Sequence, residues 1–328
     1  MLNQSLVLIF GVILAVLSAK YLVSGAITIA KKFSIPEFVI GTFIIGFGTS
    51  LPEFTVNIQA ALSQNTELAI SNVLGSNLFN TCITLGLVGL SGKLLISKDV
   101  KIKDTPYNLI AAIMIAVCGN QLFFDHIEYH QLMMSHAIIF LCFFAIYIYY
   151  TMLEVEGGSE HKIPLHSQHQ KDIKNTIHIK AIIPFIQVVF GLIGLVFGGE
   201  LIVKSAEQIA MLMGLPSKLV GLLIVGPGTS IPELIASIAA LRAKSTALIL
   251  GNVFGSNIFN IFFTLGITAM IQPVPLDTSL NQAVLFNILA ATFLTLTFWF
   301  SKAKSLSRLT AGFLIIIYIG YLYLAIIG

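Results

Sequence analysis

Charge is what this sequence lacks. Of its 328 residues, 56% are hydrophobic and only 10% are charged, against roughly 25% charged in an ordinary soluble domain. That scarcity excludes a soluble globular chain and points to an integral membrane protein. Cysteine is nearly absent too. Cys82, Cys118 and Cys142 are the whole complement, and all fall in or beside apolar runs, so no disulfide framework is implied. Long hydrophilic stretches are missing except for one, about 154 to 180, which carries His161, His166, His169 and His178 near Glu154, Glu156 and Glu160. No tight metal-ligand spacing occurs among them, and the segment reads as a solvated linker.

What the chain has instead is apolar runs, each able to cross a hydrocarbon core at about 20 residues. They lie near 5–29, 37–62, 67–92, 106–123, 132–152, 181–211, 217–241, 246–271, 282–300 and 309–327, ten spans in all. The first has no basic start and continues past Ala19 to Ile29, so it is expected to be retained rather than cleaved as a signal peptide. Basic residues are confined almost wholly to alternate loops: Lys31 and Lys32; Lys93, Lys98, Lys101 and Lys103; Lys162, Lys171, Lys174 and Lys180; Arg242 and Lys244; Lys302, Lys304 and Arg308. The opposite loops hold only Lys218. By the positive-inside rule the basic loops are cytoplasmic, and both termini are then outside.

Two stretches repeat each other without a gap. Residues 41–86 and 221–266 align at a constant offset of 180: Gly46 with Gly226, Gly48 with Gly228, Thr49 with Thr229, Ser50 with Ser230, Pro52 with Pro232, Glu53 with Glu233. The match resumes as Asn72 with Asn252, Gly75 with Gly255, Ser76 with Ser256, Asn77 with Asn257 and Asn80 with Asn260. Five spans per half make the second copy enter from the other side, so the expected fold is all-α, ten transmembrane helices arranged as two inverted five-helix repeats. The expected division is 1–152 for the first repeat, 153–180 for a cytoplasmic linker and 181–328 for the second repeat. In span six, Glu200, Lys204 and Glu207 suit an ion pair on one helix face, read as structural.

Glu53 and Glu233 sit inside apolar spans, where a carboxylate costs about 2.5 to 3.5 kcal/mol by insertion scales. Each directly follows a proline and lies five residues after a glycine. Proline has no amide hydrogen and clashes with the carbonyl four residues back, so spans two and seven should break near Gly48 and Gly228. Irregular backbone at membrane depth is tolerated where it lines a cavity or binds something. The hydroxyls of Thr49, Ser50, Thr229 and Ser230 add further oxygens. Asn72, Ser76 and Asn80, spaced by four, share one helix face, as do Asn252, Ser256 and Asn260. Gly75 and Gly255 allow close helix approach. The donors are all oxygen, a set chosen by hard cations, and two carboxylates neutralise one divalent ion. Calcium is the best single expectation.

The paired GTS(L/I)PE and N-V-x-G-S-N-(L/I)-F-N motifs resemble the two alpha repeats of the calcium/cation antiporter superfamily, most closely its prokaryotic sodium/calcium exchangers. The resemblance implies that Glu53 and Glu233 are the central cation ligands. It extends the set to Thr49, Ser50, Ser76 and Asn80 in the first half and to Thr229, Ser230, Ser256 and Asn260 in the second, with backbone carbonyls at Gly46 and Gly226. Some sodium/calcium exchangers carry Asp where this chain has Asn260. The implied activity is antiport of calcium against sodium by alternating access, with spans one and six sliding against the rest. Calcium and sodium would bind as substrates; no cofactor, no enzyme activity and no nucleic-acid partner are expected. The chain is expected as a multi-pass monomer in the bilayer of a prokaryotic plasma membrane.

Three rivals stand beside this reading. In a proton/calcium exchanger, protons on the two glutamates replace sodium, because adjacent carboxylates discourage double ionisation. An intramembrane hydrolase would use the pair as acid and base but needs unlike environments for them, whereas the repeat makes them alike. A passive channel needs a ring of subunits around one axis. The charge pattern makes its own prediction. A reporter in the 154–180 loop is expected on the cytoplasmic side and one in the 272–281 loop outside; accessibility labelling that finds both on one side overturns the inverted repeat.

Overall fold

The computed structural model describes residues 2–120, 131–156, 182–214, 226–276, 280–300 and 305–327. Most of the histidine-bearing linker, Lys218 and the first part of the seventh apolar run lie outside the described residues. Helix α1 spans Leu2–Phe33. Next come α2 (Glu37–Thr49) and α3 (Leu51–Leu62), which meet at a 44° bend. Helix α4 covers Thr66–Ser91, α5 Thr105–Gly119, α6 Met134–Glu156 and α7 Ile182–Leu212. The short α8 (Gly226–Gly228) leads into α9 (Ile231–Arg242). Helices α10 (Thr246–Ile271), α11 (Asn281–Phe300) and α12 (Arg308–Ile327) complete the chain. Among the described residues, seven of these helices are long and apolar enough to cross a membrane, and the bent pair α2–α3 makes an eighth.

The repeat in sequence is a repeat in backbone. Helix α1 ends on Ser34 at φ 55° and α7 on Gly214 at φ 80°, equivalent positions at the offset of 180, each followed two residues later by proline. The left-handed residue stops the helix. The same pairing holds at the next turn, Gln64 at φ 58° and Lys244 at φ 60°. Two further matched distortions interrupt α4 and α10, which widen into π-helical turns at Asn80–Thr84 and Phe259–Leu265. Another lies in α2 at Gly41–Gly46. Such turns recur at functional sites, and nothing in the apolar periodicity announces them.

Burial grades from centre to rim. In the most apolar stretch of α10, 94% of residues are buried, and 78% in α4, against 22–44% in the other long helices. Helices α4 and α10 therefore form the middle, with α5, α6, α11 and α12 around them. Helices α1 and α7 pack on one another through small residues, as helices in lipid do when no water drives them together. A Cβ on Gly191 would stand 2.7 Å from the Leu22 nitrogen, and one on Gly198 would stand 2.8 Å from the Ala15 nitrogen. Their other faces present Phe10 and Phe190, both exposed. This pair lies across both breaks: Leu192 fills the space beside Gly48, Val203 that beside Gly228, and Pro232 packs on Gly199. The expected pair Glu200–Lys204 forms at 2.5 Å on an exposed face, in keeping with a structural role.

A two-stranded antiparallel ribbon, β1 (Gln131–Leu132) with β2 (Val274–Pro275), ties the halves together, and Leu306 N–H donates to the Leu94 carbonyl at 2.9 Å. Just ahead of the apolar run of α5, Asp104 is fully buried. It accepts a hydrogen bond from the Tyr147 hydroxyl at 3.2 Å and lies 3.6 Å from Lys103 Nζ. Lys103 also pairs with Glu154 and sits over the Phe38 and Tyr147 rings. Burial pushes the Asp104 carboxyl up from 3.8 to about 7; Lys103 opposes the shift and Glu154 adds to it. The folded state therefore holds this proton more tightly than the unfolded chain, so stability falls as pH rises from 3.8 through about 7. Asp104→Asn removes the charging penalty. Its melting temperature in detergent, relative to the parent, should rise more at pH 8 than at pH 5; an equal difference at both pH values removes Asp104 from the pH dependence.

Candidate functional site

The site begins with two prolines. Pro52 and Pro232 occupy the opening turn of α3 and α9, where a missing amide hydrogen costs nothing. The residues before them break the helix: Ser50 adopts φ −87°, ψ 5° and Ser230 φ −92°, ψ 5°. The breaks thus fall two residues past Gly48 and Gly228. They place Glu53 and Glu233 in the first turn of a helix, where backbone amides and the helix dipole favour a carboxylate. Both glutamates are fully buried.

The two halves interlock through crossed hydrogen bonds. Ser50 Oγ donates to Glu233 Oε1 at 3.0 Å, and Ser230 Oγ donates to Glu53 Oε1 at 3.2 Å. Thr49 Oγ1 lies 2.9 Å from the Ile45 carbonyl and 3.3 Å from Asn252 Oδ1. Thr229 Oγ1 lies 3.3 Å from Asn72 Oδ1 and 3.1 Å from Ser76 Oγ. Ser256 Oγ donates to the Gly46 carbonyl at 3.0 Å, an approach that needs glycine, since a Cβ there would stand 2.9 Å from the Asn252 carbonyl. Gly226 opens α8, one turn ahead of the second break.

Four of the residues expected as ligands keep a side-chain oxygen left over. Glu53 Oε2, Glu233 Oε2, Asn80 Oδ1 and Asn260 Oδ1 are buried and have no hydrogen-bond partner among the described residues. An unsatisfied buried acceptor costs about 1 to 3 kcal/mol, more when charged. Here the four come as two pairs at the same repeat positions, as do the buried hydroxyls of Thr84 and Thr264, and they leave oxygens that could take a cation. Among the described residues no group of three or more His, Cys, Asp and Glu could hold a metal ion. The donors are carboxylate, amide and hydroxyl oxygens, the set that hard cations take.

The structure thus brings together Glu53 and Glu233 with the expected Thr49, Ser50, Ser76, Thr229, Ser230 and Ser256. Asn72 and Asn252 act differently. Asn72 Nδ2 donates to Asn57 Oδ1 at 2.9 Å and the Glu53 carbonyl at 3.4 Å. Asn252 Nδ2 donates to Ser237 Oγ at 2.9 Å and the Glu233 carbonyl at 3.0 Å. These amides pin the broken helices to the central ones. Sequence reasoning missed Asn57 and Ser237, although each stands one helical turn after its glutamate at equivalent positions. It also gave no role to Asn77, whose Oδ1 accepts from Asn260 Nδ2 at 3.1 Å.

Comparison with known proteins shows the family. The profile described as sodium/calcium exchanger protein matches residues 4–153 and 183–327. The sodium/calcium exchanger MaX1 of Methanosarcina acetivorans is 27% identical over 345 residues, covering 97% of each chain. The inner membrane protein YrbG of Escherichia coli is 30% identical over 279 residues, 84% of this chain and 82% of that one. Among solved structures, the sodium-calcium exchanger NCX_Mj soaked with 2.5 mM Na+ and 0.1 mM Ca2+ superposes with a TM-score of 0.81 at 26% identity, covering 98% of both chains. An all-helical, multi-pass membrane protein with two glutamates at its centre, this chain belongs to the sodium/calcium exchanger family.

Proposed function

We propose that this protein exchanges calcium for sodium across a prokaryotic plasma membrane by alternating access, at one site shared between two inverted five-helix repeats. The repeats are residues 1–152 and 181–328, joined by a cytoplasmic linker, with both termini outside and the chain working as a monomer. Glu53 and Glu233 are the central ligands. Thr49, Ser50, Ser76, Asn80, Thr229, Ser230, Ser256 and Asn260 complete the set, with the carbonyls of Gly46 and Gly226. The observation that carries this reading is the matched quartet of buried, unpartnered oxygens on Glu53, Glu233, Asn80 and Asn260.

Charge explains the coupling. Two carboxylates in a low dielectric repel, and the cost of burying them falls when cations neutralise them. Calcium, or sodium ions in its place, supplies the neutralising charge, so only a loaded site passes through an occluded state. Both substrates use one ligand set, and exchange follows from competition. The close-packed pair α1–α7, which lies across both breaks, is the element that shifts.

Calcium uptake into proteoliposomes tests the activity. An outward sodium gradient should drive it; uptake driven by a proton gradient in sodium-free buffer, and indifferent to sodium, overturns sodium coupling. Glu53→Gln and Glu233→Gln remove charge with little change of shape, and each should abolish calcium uptake at comparable expression. Wild-type uptake in either variant removes that glutamate from the centre of the site.

Asn260 sets a second expectation. Its nitrogen is held by Asn77, which leaves the oxygen for the cation. An amide adds no charge, so the site carries two formal negative charges, matched to one calcium or two sodium ions; a third monovalent ion would meet repulsion. Asn260→Asp adds a third negative charge and should steepen the sodium dependence of exchange. Sodium titrations with identical Hill slope and half-saturation in both proteins would exclude Asn260 from coupling.

A further inference from the structure

The symmetry of the site fails at Asn80, and the neighbouring residues explain the failure. In the second half, Asn260 Nδ2 donates to Asn77 Oδ1 at 3.1 Å. The offset of 180 that relates the repeats makes Asn80 Nδ2 to Asn257 Oδ1 the matching bond. It is not formed: both side-chain polar atoms of Asn80, and Asn257 Oδ1, are buried without a hydrogen-bond partner among the described residues. The Asn257 amide is engaged elsewhere, donating to Thr81 Oγ1 at 2.8 Å and to Asn108 Oδ1 at 3.2 Å. The repeat counterpart of Thr81 is Ile261, which has no hydroxyl, and Asn77 Nδ2 turns instead to the Asn257 carbonyl at 3.0 Å.

We propose that Thr81 and Asn108 are positioning residues that hold the Asn257 side chain away from Asn80, so that the Asn80 amide stays unpinned. The inference rests on the reading of Asn80 as a ligand and adds a division of labour to it. Asn260, anchored through its nitrogen, offers an oxygen at a fixed place. Asn80, anchored by neither atom, re-aims its oxygen to suit the ion that is bound. A site that alternates between one divalent ion and several monovalent ions is served by such an adaptable member, because the two loads differ in the number of ions whose oxygen shells must be completed. Without Thr81 and Asn108, Asn257 is free to turn and accept from Asn80 Nδ2, as Asn77 accepts from Asn260.

The full-length protein in proteoliposomes tests this with calcium as the probe. Thr81→Val removes the hydroxyl at nearly constant shape. It should raise the calcium KM about fivefold, the worth of one ordinary hydrogen bond, while the maximal rate is kept. Thr81→Ser, which restores a hydroxyl, should return KM to the parent value. In an Asn80→Ala background Thr81→Val should add nothing, since the two act through one group. Asn108→Ala removes the other acceptor, should also raise KM, and serves as the test if Thr81→Val does not fold. If Asn80→Ala raises KM but neither Thr81→Val nor Asn108→Ala does, the positioning role is overturned and the site stands. An additive effect in the Asn80→Ala background overturns it as well. If Asn80→Ala leaves KM unchanged, the ligand reading of Asn80 falls and this inference with it.

Discussion

Two carboxylates fully buried in the middle of an apolar protein set the terms for everything around them. Glu53 and Glu233 are enclosed by helices that face lipid on their outer side, where charge costs several kcal/mol. The chain meets that cost in three ways at once. It puts each glutamate at the start of a helix, where the backbone favours a negative charge. It gives each a serine donor from the opposite half. And it leaves one oxygen of each without a partner among the described residues, open to a cation. The prolines, the glycines and the asparagine stripe are all subordinate to this arrangement.

Much of the fold was open to reading because lipid simplifies the rules. A helix that must satisfy its own backbone and bury no charge leaves a long apolar run as its trace. The run near 246–271 and the helix Thr246–Ile271 coincide, and 282–300 differs from Asn281–Phe300 by one residue. The gapless repeat pointed to the candidate site for the same reason, since a buried Glu beside Pro has few innocent explanations and here occurs twice. Ser50 and Ser230, two residues past the glycines, mark the breaks, because they are the N-caps of helices whose opening turns carry Pro52 and Pro232.

What could not be read belongs to tertiary contact. The π-turns at Asn80–Thr84 and Phe259–Leu265 leave no periodic signature. Nothing in the motif distinguishes Asn72, which braces a broken helix, from Asn80, whose side chain has no partner among the described residues; both are asparagines on the same face of one helix. Thr81 looks like any threonine in an apolar run until Asn257 is seen to bond to it from the other half. Polar residues in membrane helices declare that they have a partner; they do not declare which one.

The crossed serines have a consequence for how this protein can change over time. Ser50 and Glu233 are 183 residues apart in sequence, and Ser230 and Glu53 are 177 apart. Each glutamate nevertheless takes its hydrogen-bond donor from the other copy. Neither copy can change alone, because a substitution at the serine of one motif is felt by the carboxylate of its twin. The heritable unit is therefore not a repeat but a diagonal, one serine with the distant glutamate it serves. Compensating changes should be sought along that diagonal, across the two copies, rather than within either one.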